Sequence, residues 1–174
     1  MIEAAGQGSD SVYTYVDYTL TAGQEVEYLR VLGSAALTLT GNELNNILLG
    51  GVGNDTLNGG GGNDRLEGRD GSDTFVFDTP LVVGVFPTIA DLTPGADRIS
   101  LDAPVFTAAG PLGTLAAAAF FIGSAAHDTD DRIIYNSSNG QLIYDADGSG
   151  GGAAVVFAGL SSNLSTTASD YHIA

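Results

Sequence analysis

Residues 50–76 read GGVGNDTLN, GGGGNDRLE and GRDGSDTFV, three nine-residue units in tandem. Asp55, Asp64 and Asp73 hold the sixth place of each unit, and Leu57, Leu66 and Phe75 hold the eighth. The first six residues of a unit must turn tightly, because glycine admits φ > 0 and lets main-chain carbonyls crowd together. The last three form a short strand whose middle side chain points inward, by the two-residue period of extended chain. Two units then close a flattened coil of about eighteen residues, and turns two units apart stack at about 4.8 Å. A flexible glycine-rich linker would not keep an acid and a large apolar residue in phase through three units.

Stacked turns of this kind set carboxylates and carbonyls around a gap between coils. Calcium suits such a gap, since it takes roughly six to eight oxygens in flexible geometry. The frame also runs backwards. Residues 41–49, GNELNNILL, place Asn46 at the acid position and Leu48 at the apolar one, whereas 32–40 keep only Leu39. One sheet is expected to stack Leu39, Leu57 and Phe75, and the other Leu48 and Leu66. On one edge Asp55 and Asp73 should share an ion with carbonyls from Gly51, Gly53, Gly68 and Gly71. On the other, Asp64 stacks on the neutral Asn46, a weaker site, and a half site is expected at the roll's end. Asp70 in the third turn joins the candidate ligands. An echo at 5–13, AGQGSDSVY, places Asp10 and Val12 in phase, so Met1 is expected to mark the edge of a fragment.

The chain has 174 residues, enough for one compact domain or two small ones. Five Lys and Arg stand against 21 Asp and Glu, a net charge of −16. Nucleic acid is a poor partner for that surface, because neutralising phosphate needs Lys and Arg. An anionic membrane surface is disfavoured for the same reason. The charge opposes compaction until counter-cations arrive. Cysteine is absent, which decides little about compartment. No charged-then-apolar leader is present and no apolar run approaches a membrane span, so no membrane insertion is expected.

Residues 12–16, 18–20 and 26–31 read as strands, with a turn at Ala22-Gly23, and Tyr13, Tyr15, Tyr18 and Tyr28 read as strand packing more than as a sugar-binding surface. TFVFD at 74–78 closes the roll. TLAAAAFFI at 114–122 predicts one short helix, with Thr114 as N-cap, an alanine run favouring helix and Gly123 ending it. RIIYN (132–136) and QLIYD (141–145), joined through Asn-Gly, predict a hairpin. AAVVFA at 153–158 adds a strand.

The units at 50–76 resemble RTX (repeats-in-toxin) modules, whose spacing is G-G-x-G-x-D-x-U-x. The downstream half is similar to the C-terminal region of serralysin-type proteins exported by type I secretion. DLTPGADRISLD (91–102), DRIIYNSSNGQLIYDADGSG (131–150), AVVFAGL (154–160) and DYHIA (170–174) carry that likeness. Residues 1–49 are similar to the spacer found upstream of such repeats. The resemblance implies an all-β fold, a parallel β-roll of calcium-binding nonapeptide repeats capped by a β-rich C-terminal region with one short helix. It implies one module over 1–174, with a flank at 1–40, the roll at 41–78, and a cap with an uncleaved export signal at 79–174. It puts Asp55, Asp64 and Asp73 on the ligand position, Gly51, Gly53, Gly60, Gly62 and Gly71 on the glycine positions, and Asp91 and Asp97 on the acidic positions that follow the roll. Arg69 and Leu44 depart from it, each replacing a glycine. The implied partners are calcium ions, the type I secretion machinery and an upstream passenger domain. The implied location is extracellular.

DADGSG at 145–150 does not make an EF-hand, because Gly148 directly follows Asp147 and Val156 stands where the twelfth-place Glu belongs. A hairpin turn without metal and a turn with an occasional calcium both remain open for Asp145 and Asp147. His127, in AAHDTDD, reads as a surface residue. No zinc-protease, nucleophile-elbow or P-loop motif occurs, so no catalytic activity is expected in this chain. The reading is a calcium-binding module that folds on calcium after type I export of a larger protein. A carbohydrate-binding accessory module, like the R-modules of alginate epimerases, is the alternative.

Overall fold

The computed structural model describes residues 8–174. Residues 5–7 of the first repeat echo, and Met1 itself, lie outside the described residues. Five coils follow one another along the chain. They comprise β1 (Ser11–Thr14) and β2 (Tyr18–Thr19), then β3 (Tyr28–Val31) and β4 (Thr38–Thr40), then β5 (Ile47–Leu49) and β6 (Thr56–Asn58). The fourth has β7 (Arg65–Glu67) and β8 (Thr74–Phe77), and the fifth β9 (Thr88–Ile89) and β10 (Arg98–Leu101). Odd strands pair in parallel in one sheet and even strands in the other. The two-sheet parallel β-roll expected from the repeats is therefore present, and it starts well upstream of them.

Strict phase builds two core columns. Val12, Leu29, Leu48, Leu66 and Ile89 are in register in one sheet. Tyr18, Leu39, Leu57, Phe75 and Ile99 are in register in the other. From Leu29 and Leu39 onward every member of both columns is fully buried. The expected stacks Leu39–Leu57–Phe75 and Leu48–Leu66 both form.

Beyond the coils come β11 (Gly113–Thr114), β12 (Phe120–Ile122), β13 (Ile133–Asn136), β14 (Gln141–Tyr144), β15 (Val155–Gly159) and β16 (Tyr171–Ile173). One sheet runs β1-β3-β5-β7-β9-β15-β14-β13-β12 and the other β11-β16-β10-β8-β6-β4-β2. β13 and β14 form the expected antiparallel hairpin across Asn-Gly. β16 extends the second column, with Tyr171 beside Ile99, and it lies inside the sheet between β11 and β10. One continuous apolar cluster links the coils with the cap, from Leu20 to Ile173.

The helix expected at 114–122 is not formed. Thr114 is drawn into the sheet opposite His172, and the Leu115 N–H donates to the Tyr171 carbonyl, so neither is free to start a helix. Ala117–Ala119 make a single 3-10 turn, and Phe120–Ile122 pair with β13. A nine-residue helix is marginal on propensity alone, and two strands offering backbone partners outweigh the alanine run.

The column makes Phe75 the most exacting position in the roll. Phe75→Ala should cost about 3–5 kcal/mol through lost burial and the cavity left behind, read by denaturant unfolding in excess calcium.

Candidate metal centre

Each coil reaches its neighbour through the acid at the sixth place. One carboxylate oxygen accepts the N–H of the residue one coil upstream. Asp55 takes Leu37 at 2.8 Å, Asp64 takes Asn46 at 2.8 Å, Asp73 takes Asp55 at 2.8 Å and Asp97 takes Asp73 at 2.9 Å. Glu27 continues the series, accepting the Asp10 N–H at 2.7 Å, and Asp170 takes Gly95 at 2.8 Å. The fifth place works in the opposite direction. Asn45, Asn54 and Asn63 accept from Asn63, Ser72 and Phe86, all downstream.

The second carboxylate oxygen divides the acids into two kinds. In Asp55 and Asp97 it closes its own turn, accepting Gly51 N–H at 2.6 Å and Thr93 N–H at 2.7 Å. In Asp64 and Asp73 it is buried with no hydrogen-bond partner. The donors that would serve are committed elsewhere. Gly60 N–H goes to Asn58 Oδ1 at 2.9 Å, and Gly68 and Arg69 N–H go to the Asp91 carboxylate at 3.0 and 2.8 Å. A buried carboxylate oxygen without a donor is costly, and a hard cation is the ligand that satisfies it.

Glycine makes the approach possible. A Cβ on Gly59 would strike Asp64 Oδ2 and one on Gly68 would strike Asp73 Oδ2. A Cβ on Gly51 would lie 2.8 Å from the Gly33 carbonyl oxygen, on Gly60 2.5 Å from that of Asn42, and on Gly62 2.8 Å from that of Leu44. Gly53 and Gly71 are held in the same way against the carbonyls of Ala35 and Gly53. The gaps between coils are thus lined by carbonyl and carboxylate oxygens, and this donor set fits calcium. Arg69 keeps the left-handed turn with φ of 72°, and its guanidinium folds onto Glu67 at 3.5 Å.

One rung is bridged by side-chain amides. Asn42 Nδ2 donates to the carbonyls of Thr21 and Gln24 at 3.0 and 2.8 Å, and Asn46 Nδ2 donates to that of Val26 at 2.8 Å. Two amide groups here satisfy carbonyls that a cation would otherwise serve. On this edge, then, Asn46 is more than a weak ligand, because its amide closes the gap toward the upstream coil.

Of the residues expected from sequence, Asp55, Asp64, Asp73 and Asp97 fall into the carboxylate stack, and Asp91 caps the fourth-coil turn. Asp70 is exposed and its carboxylate lies outside the stack. Glu27, Asp170, Gly59 and the fifth-place asparagines were not anticipated. The recurring Asn-Asp at 45–46 (as Asn-Asn), 54–55 and 63–64 was the available signal for the last of these. Off the roll, Asp131 repeats the turn-closing bond, accepting His127 N–H at 2.7 Å, and His127 is exposed and stacked on Phe121. Asp147 closes its turn on Gly152 N–H at 2.9 Å.

Residues 40–75 match the family model of the RTX calcium-binding nonapeptide repeat, in four copies. The match takes in the 41–49 unit as well as the three regular ones, and with the geometry it makes the array a calcium-binding β-roll. No curated protein matches the chain in sequence. Among solved structures, one similar to it is the solution structure of the AlgE6R3 subunit from the Azotobacter vinelandii mannuronan C5-epimerase. It is 23% identical, covering 98% of this chain and 82% of that one with a TM-score of 0.45. No helix among the described residues is long and apolar enough to cross a membrane.

Burial raises the pKa of Asp64 from 3.8 to about 7, against the lowering effect of the Asn46 N–H. Burial likewise raises Asp73 from 3.8 to about 6, opposed by the Asp55 N–H and reinforced by the charges of Asp97, Asp55 and Asp91. The folded chain therefore holds these protons more tightly than the unfolded one. The resulting stability is complete below the unfolded value and is lost as pH rises through about 6 and about 7. Without divalent cations, thermal unfolding should occur at a lower temperature at about pH 8 than at about pH 5. A Tm that rises over this interval would contradict the burial of unpaired acids.

Proposed function

We propose that the chain is a calcium-dependent folding module of a larger exported protein. The observation that carries the calcium part is the pair of buried, donor-less oxygens on Asp64 and Asp73. In this reading Asp55, Asp64, Asp73, Asp91 and Asp97 supply carboxylates, and Gly51, Gly53, Gly60, Gly62, Gly68 and Gly71 lie at the turns whose carbonyls complete each shell. Cytosolic calcium is too low to fill such sites, so the acidic coils stay open for threading through a type I exporter. Outside, calcium near millimolar meets sites with Kd of about 10⁻⁴–10⁻³ M. Binding to the folded state alone adds about 1.4 kcal/mol per site at ten times Kd, and a net charge of −16 makes each added cation worth more.

The export half of the proposal, with its passenger domain, secretion machinery and extracellular destination, rests on the resemblance of residues 91–174 to serralysin-type C-terminal regions. A carbohydrate-binding role finds less support in the structure. Arg65 and Arg69 both pair with Glu67, at 3.0 and 3.5 Å, so the roll offers no open basic groove there.

Asp64→Asn and Asp73→Asn test the calcium sites with little disturbance, since an Asn oxygen can still accept the upstream N–H, as the fifth-place asparagines accept theirs. Each change should raise the calcium midpoint of far-UV circular dichroism by on the order of tenfold, and the double variant should lose the response. Midpoints unchanged in the double variant would sink the assignment.

A further inference from the structure

We infer that the N-terminal face of the roll is a docking surface for one more coil of parallel β-roll. β1 and β2 are the outermost strands of the two sheets, each with one backbone edge unpaired among the described residues. The first members of the two core columns, Val12 and Tyr18, are only half-buried, whereas every later member through Ile89 and Ile99 is sealed. Between them lies a cavity of about 280 Å³, lined by Asp10, Val12, Tyr18, Thr21 and Val26 among others. An apolar rung above Val12 and Tyr18 would fill it.

The acid stack identifies the occupant. Glu27, Asp55, Asp64, Asp73 and Asp97 each accept a main-chain N–H from the coil upstream. Asp10 stands at the same place in the first coil, and among the described residues no coil lies upstream of it to donate the corresponding N–H. The missing donor is the sixth-place N–H of a coil one turn further upstream. Such a coil carries two short strands with a central apolar residue, which also meets the two bare edges and the two open columns. The opposite end of the roll cannot take one. There the parallel order gives way to antiparallel pairing of β14 with β13 and β15, and of β11 with β16. Growth of the roll is therefore open in one direction only. The inference rests on backbone geometry and not on the calcium reading.

The test replaces Met1–Ala4 with a copy of residues 50–67, which puts two repeat units in frame with AGQGSDSVY at 5–13. A second chain carries the same eighteen residues in scrambled order. Hydrogen exchange in calcium is the readout. The in-frame extension should slow the outward-facing amides of Ser11–Thr14 and Tyr18–Thr19 by roughly tenfold or more, as expected of an edge joining the cooperative core. Asp10→Ala in the extended chain should remove most of that gain, and the scrambled extension should give none. Equal exchange in the in-frame and scrambled chains would overturn the inference. So would concentration-dependent protection of the same amides in the unextended chain, which would make a second copy the occupant. Calcium-dependent protection of residues 38–77, measured in the same samples, reports separately on the metal sites.

Discussion

The roll depends on putting a carboxylate at the same place in successive coils, only one strand spacing apart. Like charges at that distance repel, and burial makes the repulsion worse. Half of the difficulty is met by the backbone, because one oxygen of each acid takes an N–H from the coil before it. The other half is met locally for Asp55, Asp97 and Asp170, whose remaining oxygens close their own turns. Asp64 and Asp73 are left over, each with one buried oxygen that no donor reaches.

The glycines follow from that constraint. A side chain at Gly59 or Gly68 would occupy the space of the acid oxygen, and one at Gly60, Gly62 or Gly71 would collide with a carbonyl of the coil upstream. The apolar columns are a second consequence. Once the acids fix the register, the residue two places later must point into the core in every coil, and it is Leu, Ile, Phe or Val wherever the coil is regular.

Much of this was legible because regular spacing is a strong signal. Asp55, Asp64 and Asp73, nine residues apart and so alternating between the two edges, gave the pitch, the columns and the acidic edges directly. The earlier coils were harder to read. The acid-to-donor separation shortens from the regular 18 to 17 between Asp10 and Glu27, and the pitch widens to 24 between Asp73 and Asp97. Glu27 sits in an alternating strand with no glycine turn to announce it, so nothing local marks it as the counterpart of Asp64. The stretch at 114–122 failed for a different reason. Its alanines report local preference, while its conformation is set by β13 and β16, which lie far along the chain.

Asn42 and Asn46 differ from Asp by one group each, and in this position the difference is between a donor and an anion. Spontaneous deamidation, the slow hydrolysis of asparagine with age, would replace the amide that now faces the Val26 carbonyl, or those of Thr21 and Gln24, with a negative oxygen. The rung now bridged by amides would become repulsive until an ion entered it. An ageing molecule would thus acquire a metal requirement in its first coils without any change in its genetic sequence, visible as a new sensitivity of that end to chelators.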